Sequence, residues 1–304
     1  MINNANDQKM SNRKILVIGS SNTDMTIKGN RLPVPGETVL GGEFKMGQGG
    51  KGANQAVAAK RLGGDVTFIC KIGNDLFGKE SLASYRKDGI DTSWVLRSSL
   101  PSGVALIMVD GKGENCISVA PGANGDFSSE DIESVADVIR ESAFLILQLE
   151  IPVPAVMKAA EIAHNAGVYV ILNPAPAVSL PESLLANVDL ITPNQTETEI
   201  LTGISDDIEK AVRRLSDLGV KNIVMTMGSR GSAVYQNGRC TLVEACKVDA
   251  IDATAAGDTF CGALCVALSE GLDLVNAARF ATRASALTVQ KVGAQESIPF
   301  RRDI

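Results

Sequence analysis

Asp258 follows a run of very small residues in the stretch 252–260, Asp-Ala-Thr-Ala-Ala-Gly-Asp-Thr-Phe. The apolar residues after it predict a helix that begins here, where the backbone N–H groups of Ala255, Ala256 and Gly257 can converge on an anion. Asp258 could then accept a proton from an attacking hydroxyl group. Capping of the helix is the alternative role for this aspartate. The small neighbours leave space beside Asp258, which favours a catalytic base next to an anion hole for a phosphoryl group.

A second group of small residues surrounds Lys51 in the stretch 47–54, Gly-Gln-Gly-Gly-Lys-Gly-Ala-Asn. The spacing differs from the GxxxxGK[ST] of a P-loop, because a glycine follows the lysine. The glycines favour close approach of the backbone to a small polyol, with Lys51 and Asn54 as hydrogen-bond donors. Asn22 and Asp24, which follow the first predicted strand, would be their partners. A turn without a ligand is the alternative.

Two further strand ends carry residues suited to a nucleotide. After the strand that ends at Thr192, Glu197 could orient water on a Mg²⁺ ion held mainly by phosphates. Helix capping by Asn194 with Glu197 explains the same pair. The glycine-containing stretch Thr226–Gly231 suits close approach to nucleotide phosphates, and an ordinary turn also explains it.

Short β-branched runs alternate with amphipathic segments of helical length, which predicts βαβ units. The fold class is therefore α/β, a three-layer α-β-α sandwich with a mostly parallel central sheet. The helix that contains Phe260 is apolar on nearly all sides and should be deeply buried. The predicted strands are Lys14–Ser20, Val66–Ile72, Ala143–Gln148, Val168–Asn173, Leu190–Thr192 and Asn222–Met227.

Two regions interrupt this alternation, residues 24–46 and residues 103–119. The second contains the turn sequence Asp-Gly-Lys-Gly between two β-rich runs, which predicts a hairpin. We expect both regions to form a small antiparallel β lid over the carboxyl edge of the main sheet. The exposed strand edges of such a lid favour a homodimer.

Composition excludes several classes of function. The 304 residues are 45% hydrophobic, enough for a core of their own, and 29 basic against 35 acidic residues give a net charge of −6. This charge argues against a nucleic-acid partner. Six cysteines without a CxxC pair indicate reduced, buried thiols. The sequence contains no apolar stretch long enough to span a membrane, so we expect no membrane partner and a cytoplasmic location. We expect residues 1–13, which are polar, to be disordered.

Together these motifs resemble the ribokinase family of carbohydrate kinases, from about Lys14 to Arg301. The two family signatures correspond to residues 49–56 and 252–260. The resemblance implies one kinase domain over residues 14–304, with Asp258 as the catalytic base and the backbone of residues 255–257 as the anion hole.

The resemblance also implies the binding residues. Ribose contacts would come from Asn22, Asp24, Gly50, Lys51, Gly52, Ala53, Asn54, Glu150 and Asp258. ATP contacts would come from Asn194, Thr226, Met227, Gly228, Ser229, Arg230, Gly231, Gly257, Asp258 and Thr282, the last of which stands where some relatives carry a histidine against the adenine. A K⁺ ion would involve Asp252, Thr254, Thr288, Lys291, Gly293 and Ser297, and Mg²⁺ would be held through water by Glu197.

The implied reaction is transfer of the γ-phosphoryl group of ATP to the 5-hydroxyl of D-ribose, giving D-ribose 5-phosphate and ADP. Two alternatives remain open. One is a kinase for another acceptor, such as fructose, 2-keto-3-deoxygluconate or adenosine. The other is a non-catalytic sugar or nucleotide sensor on the same fold.

Overall fold

A computed structural model describes residues 13–304, which form fourteen strands and ten α-helices. The strands are β1 (Lys14–Ile18), β2 (Asn22–Lys28), β3 (Glu43–Gly49), β4 (Asp65–Ile69), β5 (Lys71–Ile72), β6 (Leu96–Arg97), β7 (Gly103–Val109), β8 (Asn115–Ala120), β9 (Phe144–Leu147), β10 (Tyr169–Leu172), β11 (Leu190–Ile191), β12 (Asn222–Thr226), β13 (Ser232–Gln236) and β14 (Arg239–Val243). The helices are α1 (Lys51–Arg61), α2 (Leu76–Lys87), α3 (Ser129–Ser134), α4 (Ala136–Glu141), α5 (Val153–Asn165), α6 (Glu182–Leu185), α7 (Gln195–Thr202), α8 (Ile208–Asp217), α9 (Ala256–Ser269) and α10 (Leu274–Thr288).

The central sheet has eight strands in the order β14-β13-β12-β11-β10-β9-β1-β4. The six strands from β12 to β4 run parallel, and β13 and β14 add an antiparallel edge. The predicted mostly parallel α/β sheet is therefore confirmed. Parallel pairing places the carboxyl ends of these six strands at one edge, which is where ligands bind in open α/β sheets.

Helices cover both faces of the sheet because alternate residues of each strand point to opposite sides. Ile15 and Val17 of β1 pack in one cluster with α1, α2, α9 and α10. Leu16 and Ile18 pack in the other, with α3 to α6 and α8. The structure thus has the three layers that the alternating pattern predicts.

Helix α9 is as deeply buried as its apolar sequence predicts, since every residue from Asp258 to Ala267 is buried. A close approach to α1 makes this possible. A β-carbon at Gly262 would lie 2.8 Å from both the Ala58 side chain and the Gln55 carbonyl oxygen. The glycine is therefore required for the helix contact that brings the start of α9 against α1.

The antiparallel edge β13–β14 is a hairpin that the sequence analysis did not predict. Asn237 and Gly238 connect its strands with φ angles of 52° and 74°. An Asn-Gly pair between two β-rich runs is a strong signal for such a turn. The hairpin could therefore have been found from the sequence.

Strands β2, β3, β7 and β8 form the lid, a separate sheet in the order β3-β2-β7-β8. Its two hairpins, β2–β3 and β7–β8, are antiparallel, whereas β2 and β7 run parallel. Both of these strands start beside the main sheet and run outward, and the long chain between them supplies the crossover. The lid is longer than the expected 24–46 and 103–119, because β2 begins at Asn22 and β3 continues through Gly49.

Three other expectations concern the chain as a whole. The expected disordered segment lies outside the described residues, apart from Arg13. Among the helices of residues 13–304, none combines the length and apolar character needed to cross a membrane. All six cysteines are unpaired, but the expectation that all are buried is wrong, because Cys116 on lid strand β8 and Cys246 after β14 are exposed.

Candidate active site

A cleft of about 400 Å³ lies between the lid and the carboxyl ends of the central strands. Thirteen of the residues that the sequence analysis singled out line it, although they come from distant parts of the chain. They are Asn22, Asp24, Gly50, Lys51, Asn54, Glu150, Asn194, Glu197, Thr226, Thr254, Ala255, Gly257 and Asp258.

Asp258 lies in the first turn of α9 and its side chain is directed at α1. Asn54 Nδ2 donates to its Oδ2 at 2.9 Å, and Gln55 Nε2 donates to its Oδ1 at 3.0 Å. The N-cap residue of α9 is Ala255, and no side chain caps this helix end. The carboxylate is therefore held at the cleft by amides of another helix instead of closing its own helix.

Ala255 has a left-handed conformation, with φ of 59°. The N–H of Ala256 donates to the Ala253 carbonyl at 3.2 Å, within the turn that this conformation creates. A β-carbon at Gly257 would meet no atom within 4 Å, so there is open space beside this part of the backbone. The N–H groups of Ala255 and Gly257 are thus the candidate donors for an anion, while that of Ala256 closes the turn.

Lys51 begins α1 beside three carboxylates. Burial alone would lower the pKa of its ammonium group, but the nearby charges of Asp258, Glu150 and Glu197 outweigh this and raise the pKa. Glu150 Oε2 accepts from the Lys51 backbone N–H at 2.9 Å and from the Ser20 hydroxyl at 2.5 Å. The lysine is therefore a fixed positive charge in an acidic cleft.

The chain on either side of Lys51 requires glycine at two positions. Gly50 has φ of 89°, and a β-carbon there would lie 2.9 Å from the Asn22 nitrogen. A β-carbon at Gly52 would lie 2.6 Å from the Ser20 nitrogen. Gly52 and the fully buried Ala53 do not line the cleft. They pack α1 against the chain that follows β1, where the Ala53 N–H donates to the Ser20 carbonyl at 2.9 Å.

Asp24 is the carboxylate of the lid that faces the cleft. Burial raises its pKa to about 7, with further contributions from the charges of Glu150, Glu296 and Asp258. Glu296, which follows α10, was not singled out from the sequence. A β-carbon at lid residue Gly47 would lie 3.0 Å from its Oε1 atom, so Glu296 reaches the base of the lid.

Asn22 is oriented by a residue that the sequence analysis missed. Asn124 Nδ2 donates to Asn22 Oδ1 at 2.8 Å, and the Asn124 amide also bonds with the backbone of Ser21. With its carbonyl oxygen engaged, Asn22 offers its NH₂ group as a donor.

Asn194 and Glu197 form a reciprocal capping box at the start of α7. Asn194 Oδ1 accepts from the Glu197 backbone N–H at 2.8 Å, and Glu197 Oε2 accepts from the Asn194 backbone N–H at 2.8 Å. Both residues also line the cleft, so the capping role and a role toward a ligand do not exclude each other. Burial raises the pKa of Glu197.

Thr282 lies apart from these residues. It lines a second cavity, of about 750 Å³, between α10 and the chain after β14. The segment 227–231 lines neither cavity and forms the turn between β12 and β13. Its last residue, Gly231, has φ of 88°, and a β-carbon there would lie 1.9 Å from the Val243 carbonyl oxygen.

The residues implied for K⁺ come from two loops that are hydrogen-bonded to each other. Asp252 Oδ1 accepts from the Thr254 N–H at 2.9 Å, and its Oδ2 accepts from the Gly293 N–H at 2.9 Å. Burial would raise the pKa of Asp252, but these bonds outweigh it and lower the pKa. The hydroxyls of Thr288 and Ser297 donate to the backbone carbonyls of Ala284 and Ala294, and the Thr288 carbonyl accepts from the Lys291 N–H at 3.1 Å. One ionised carboxylate with carbonyl oxygens fits a large monovalent cation.

Buried polar residues at the ends of three central strands were also missed from the sequence. Gln148, Asn173 and Thr192 directly follow β9, β10 and β11, and the last two line the cleft. Polar residues that follow buried parallel strands share one sheet edge, a signal that could have found these three. Gln55 carries no such signal, because its role depends on how α1 packs against α9.

Comparison with known proteins agrees with this geometry. A family model described as pfkB family carbohydrate kinase matches residues 12–301. The chain is 43% identical over 296 residues to the ribokinase of Haemophilus influenzae, covering 96% of this chain and 97% of that protein. It is 41% identical over 298 residues to the ribokinase of Staphylococcus aureus, covering 96% and 98%. To the deoxyribokinase of Salmonella typhi it is 38% identical over 291 residues, covering 94% and 95%.

The fold also matches those of solved structures. The structure of Arabidopsis thaliana ribokinase complexed with ribose and ATP superimposes on this chain with a TM-score of 0.90, and the two sequences are 32% identical over 96% of each chain. The resemblance found from the two signature stretches is confirmed. Since the family model spans nearly the whole chain, the chain belongs to the pfkB family of carbohydrate kinases.

Proposed function

We propose that the chain transfers the γ-phosphoryl group of ATP to the 5-hydroxyl of D-ribose, giving D-ribose 5-phosphate and ADP. The observation that carries this proposal is the Asp258 carboxylate, only 7% exposed and held by two amides, at a helix start whose backbone can bind an anion. The ribokinase relatives above 40% identity support ribose as the acceptor.

In this proposal the 5-hydroxyl of ribose lies against Asp258. The carboxylate accepts the hydroxyl proton while the hydroxyl oxygen forms a bond to the γ-phosphorus atom. The bond from that phosphorus to the bridging oxygen breaks, and ADP leaves with the electron pair. The N–H groups of Ala255 and Gly257, together with the dipole of α9, stabilise the negative charge on the transferred group.

The sugar is held by polar groups that converge from three directions. Asn22 and Asp24 come from the lid, Lys51 and Asn54 from α1, and Glu150 from the chain after β9. Alternating donors and acceptors of this kind suit the hydroxyl groups of a small sugar. The lid also contributes apolar side chains to the cleft, and these would exclude water from the reacting groups.

ATP lies beyond Asp258 in this proposal, toward Asn194 and Thr226. The cavity beside Thr282 has the room for the adenine base, and the turn at 227–231 lies near the strand end that the phosphates approach. Mg²⁺ bound with ATP would neutralise charge on the phosphates, and Glu197 would hold it through water. K⁺ would be held by Asp252 and backbone oxygens of Thr254, Thr288, Lys291, Gly293 and Ser297, and would order the loop that carries the anion hole.

Phosphorylation of 2-deoxy-D-ribose is the second candidate, because a deoxyribokinase is 38% identical over nearly the whole chain. The two sugars differ by one hydroxyl group. A site built to hydrogen-bond that hydroxyl discriminates strongly against the sugar that lacks it.

The test is ADP release from ATP and Mg²⁺ with D-ribose, 2-deoxy-D-ribose, D-fructose and adenosine, with and without K⁺. We expect ribose-dependent turnover that increases with K⁺ and falls about 10³-fold in Asp258→Asn, the contribution typical of a positioned base. Asp206→Asn, at an exposed aspartate outside both cavities, is the matched control and should retain wild-type turnover.

Each other outcome has a definite meaning. Turnover only with deoxyribose or another acceptor would keep the mechanism and replace ribose as the substrate. No turnover with any of the four, together with sugar or nucleotide binding, would favour a sensor. Full activity of Asp258→Asn would overturn the proposed base.

The proposal includes a homodimer formed through the lid and a cytoplasmic location. The lid supports the first, because its outer face carries exposed apolar side chains. The unpaired state of all six cysteines supports the second, because a reducing compartment keeps thiols free.

A further inference from the structure

Gln55 is a polar side chain with no exposed surface, located on α1 one residue after Asn54. It does not line the cleft, whereas Asn54 does. A buried amide without hydrogen bonds destabilises the folded state, so a residue that only filled space here would better be apolar. The hydrogen-bond partners of Gln55 therefore indicate its role in the structure.

Both ends of the Gln55 side chain are engaged. Nε2 donates to Asp258 Oδ1 at 3.0 Å and to Asn173 Oδ1 at 3.1 Å. Oε1 accepts from Gln148 Nε2 at 2.7 Å. These bonds leave the side chain one orientation, in which the NH₂ group and not the carbonyl oxygen faces the carboxylate.

The partners of Gln55 are attached to the central sheet. Asn173 Nδ2 donates to the Thr192 backbone carbonyl at 2.9 Å, and Gln148 and Asn173 are only 1% and 7% exposed. Because these residues follow β9, β10 and β11, the amide network connects Asp258 to three strand ends. Asp258 is thus fixed by the sheet as well as by its own helix.

We infer that Gln55 is a positioning residue for the proposed base Asp258, holding one carboxylate oxygen so that the other faces the acceptor hydroxyl. This inference rests on the proposed function. It goes beyond the residues that contact sugar or nucleotide, because Gln55 acts only through Asp258. Asn54 holds the second oxygen and is itself held by Gln295, whose Nε2 donates to Asn54 Oδ1 at 3.3 Å.

The test is Gln55→Glu, which keeps the shape of the side chain and replaces the donor with an oxygen. Misplacement of the base predicts a kcat about 100-fold lower. The KM for ribose should stay within about threefold, because the sugar contacts are unchanged. A second carboxylate beside Asp258 opposes its ionisation, so the acid limb of the kcat–pH profile should move upward by about 1 pH unit.

Gln236→Glu is the matched control. Gln236 makes a comparable hydrogen bond, from its Nε2 to Asn222 Oδ1 at 3.0 Å. Asn222 is the first residue of β12, so this bond lies at the opposite end of the strand from the cleft. The same change in charge there should leave kcat and the pH profile unaltered. Thermal unfolding of each variant reports whether it folds.

Gln55→Met removes the donor without adding a charge, and decides the question if Gln55→Glu does not fold. Loss of a donor to the carboxylate predicts a lower kcat and a smaller upward move of the acid limb. A folded Gln55→Glu or Gln55→Met enzyme with wild-type kcat and pH profile would overturn the inference. Asp258→Asn is measured in parallel: if it is inactive, such a result refutes only the role of Gln55, whereas an active Asp258→Asn refutes the proposed base.

Discussion

At the scale of single residues, the cleft is governed by where carboxylates and their hydrogen-bond donors meet. Four acidic side chains approach one another there, and only some of them are compensated. Asp258 receives two amide donors, and Glu150 receives a hydroxyl and a backbone N–H. Asp24 is the least compensated of the four, because burial and the other carboxylates raise its pKa to about 7.

The raised pKa of Asp24 predicts a pH-dependent stability. Between pH 4 and 7 the folded protein binds this proton while the unfolded chain has lost it, so the free energy of unfolding falls as pH rises. Between pH 5 and 8 we expect the free energy of unfolding to fall by about 2–3 kcal/mol more in wild type than in Asp24→Asn. Denaturant unfolding at both pH values measures this difference.

Asp206→Asn serves as the control for this experiment, because Asp206 is exposed. Its pH dependence should match that of wild type. An equal loss of stability in wild type and in Asp24→Asn would show that Asp24 does not titrate in this range.

At the scale of the elements, the start of α9 depends on an unusual backbone conformation. Ala255 has φ of 59°, where a residue other than glycine costs about 1–2 kcal/mol. That conformation turns the chain so that the helix starts with its N–H groups at the cleft. The strain is thus located where the proposed phosphoryl group binds.

A bulkier residue at this position should therefore harm activity and stability together. Ala255→Val places a β-branched side chain at positive φ, and we expect a lower melting temperature and a kcat at least about tenfold lower as the N–H groups shift. Ala255→Gly can keep this conformation and should retain most activity. Steady-state kinetics with ribose and thermal unfolding check both variants.

Asn237→Val is the matched control, because Asn237 also has positive φ, 52°, but lies in the β13–β14 turn. It should lose stability while keeping its kcat. An unchanged kcat in a folded Ala255→Val would contradict the role of this turn in anion binding.

At the scale of the whole molecule, the lid has two different faces. Strand register places Asp24, Ala105 and Val119 on the face toward the cleft. The residues that alternate with them along each strand lie on the outer face. The outer face is unusually apolar for exposed surface. It carries Ile27, Phe44, Met46, Leu106 and Met108, which are between 38% and 62% exposed. Apolar patches of this kind mark interaction surfaces.

We expect the chain to be a dimer at micromolar concentration, and Leu106→Lys to convert it to a monomer. A lysine in the middle of the patch would have to lose its hydration shell on association. Sedimentation velocity measures the change. Leu76→Lys, at a 63% exposed leucine on α2, should remain dimeric, and a monomeric wild type would refute the lid dimer.

The sequence by itself determined the architecture and most of the cleft. The alternation of β-branched runs with amphipathic segments predicts the parallel sheet, because side-chain periodicity decides which face of each element is buried. The small residues before Asp258 and around Lys51 identify two of the segments that form the site, because close backbone approach excludes larger side chains. The Asn-Gly turn of β13–β14 was also readable, although the sequence analysis did not use it.

Only the tertiary structure decided how these segments come together in the cleft. The contact of Gln55 with Asp258, the approach of Glu296 to the lid and the parallel pairing of β2 with β7 join residues that are far apart along the chain. Local propensity contains no information about such pairs, since their geometry follows from how α1, α9 and the lid pack on the sheet. The raised pKa of Asp24 has the same origin, because burial and neighbouring charge exist only after the chain has folded.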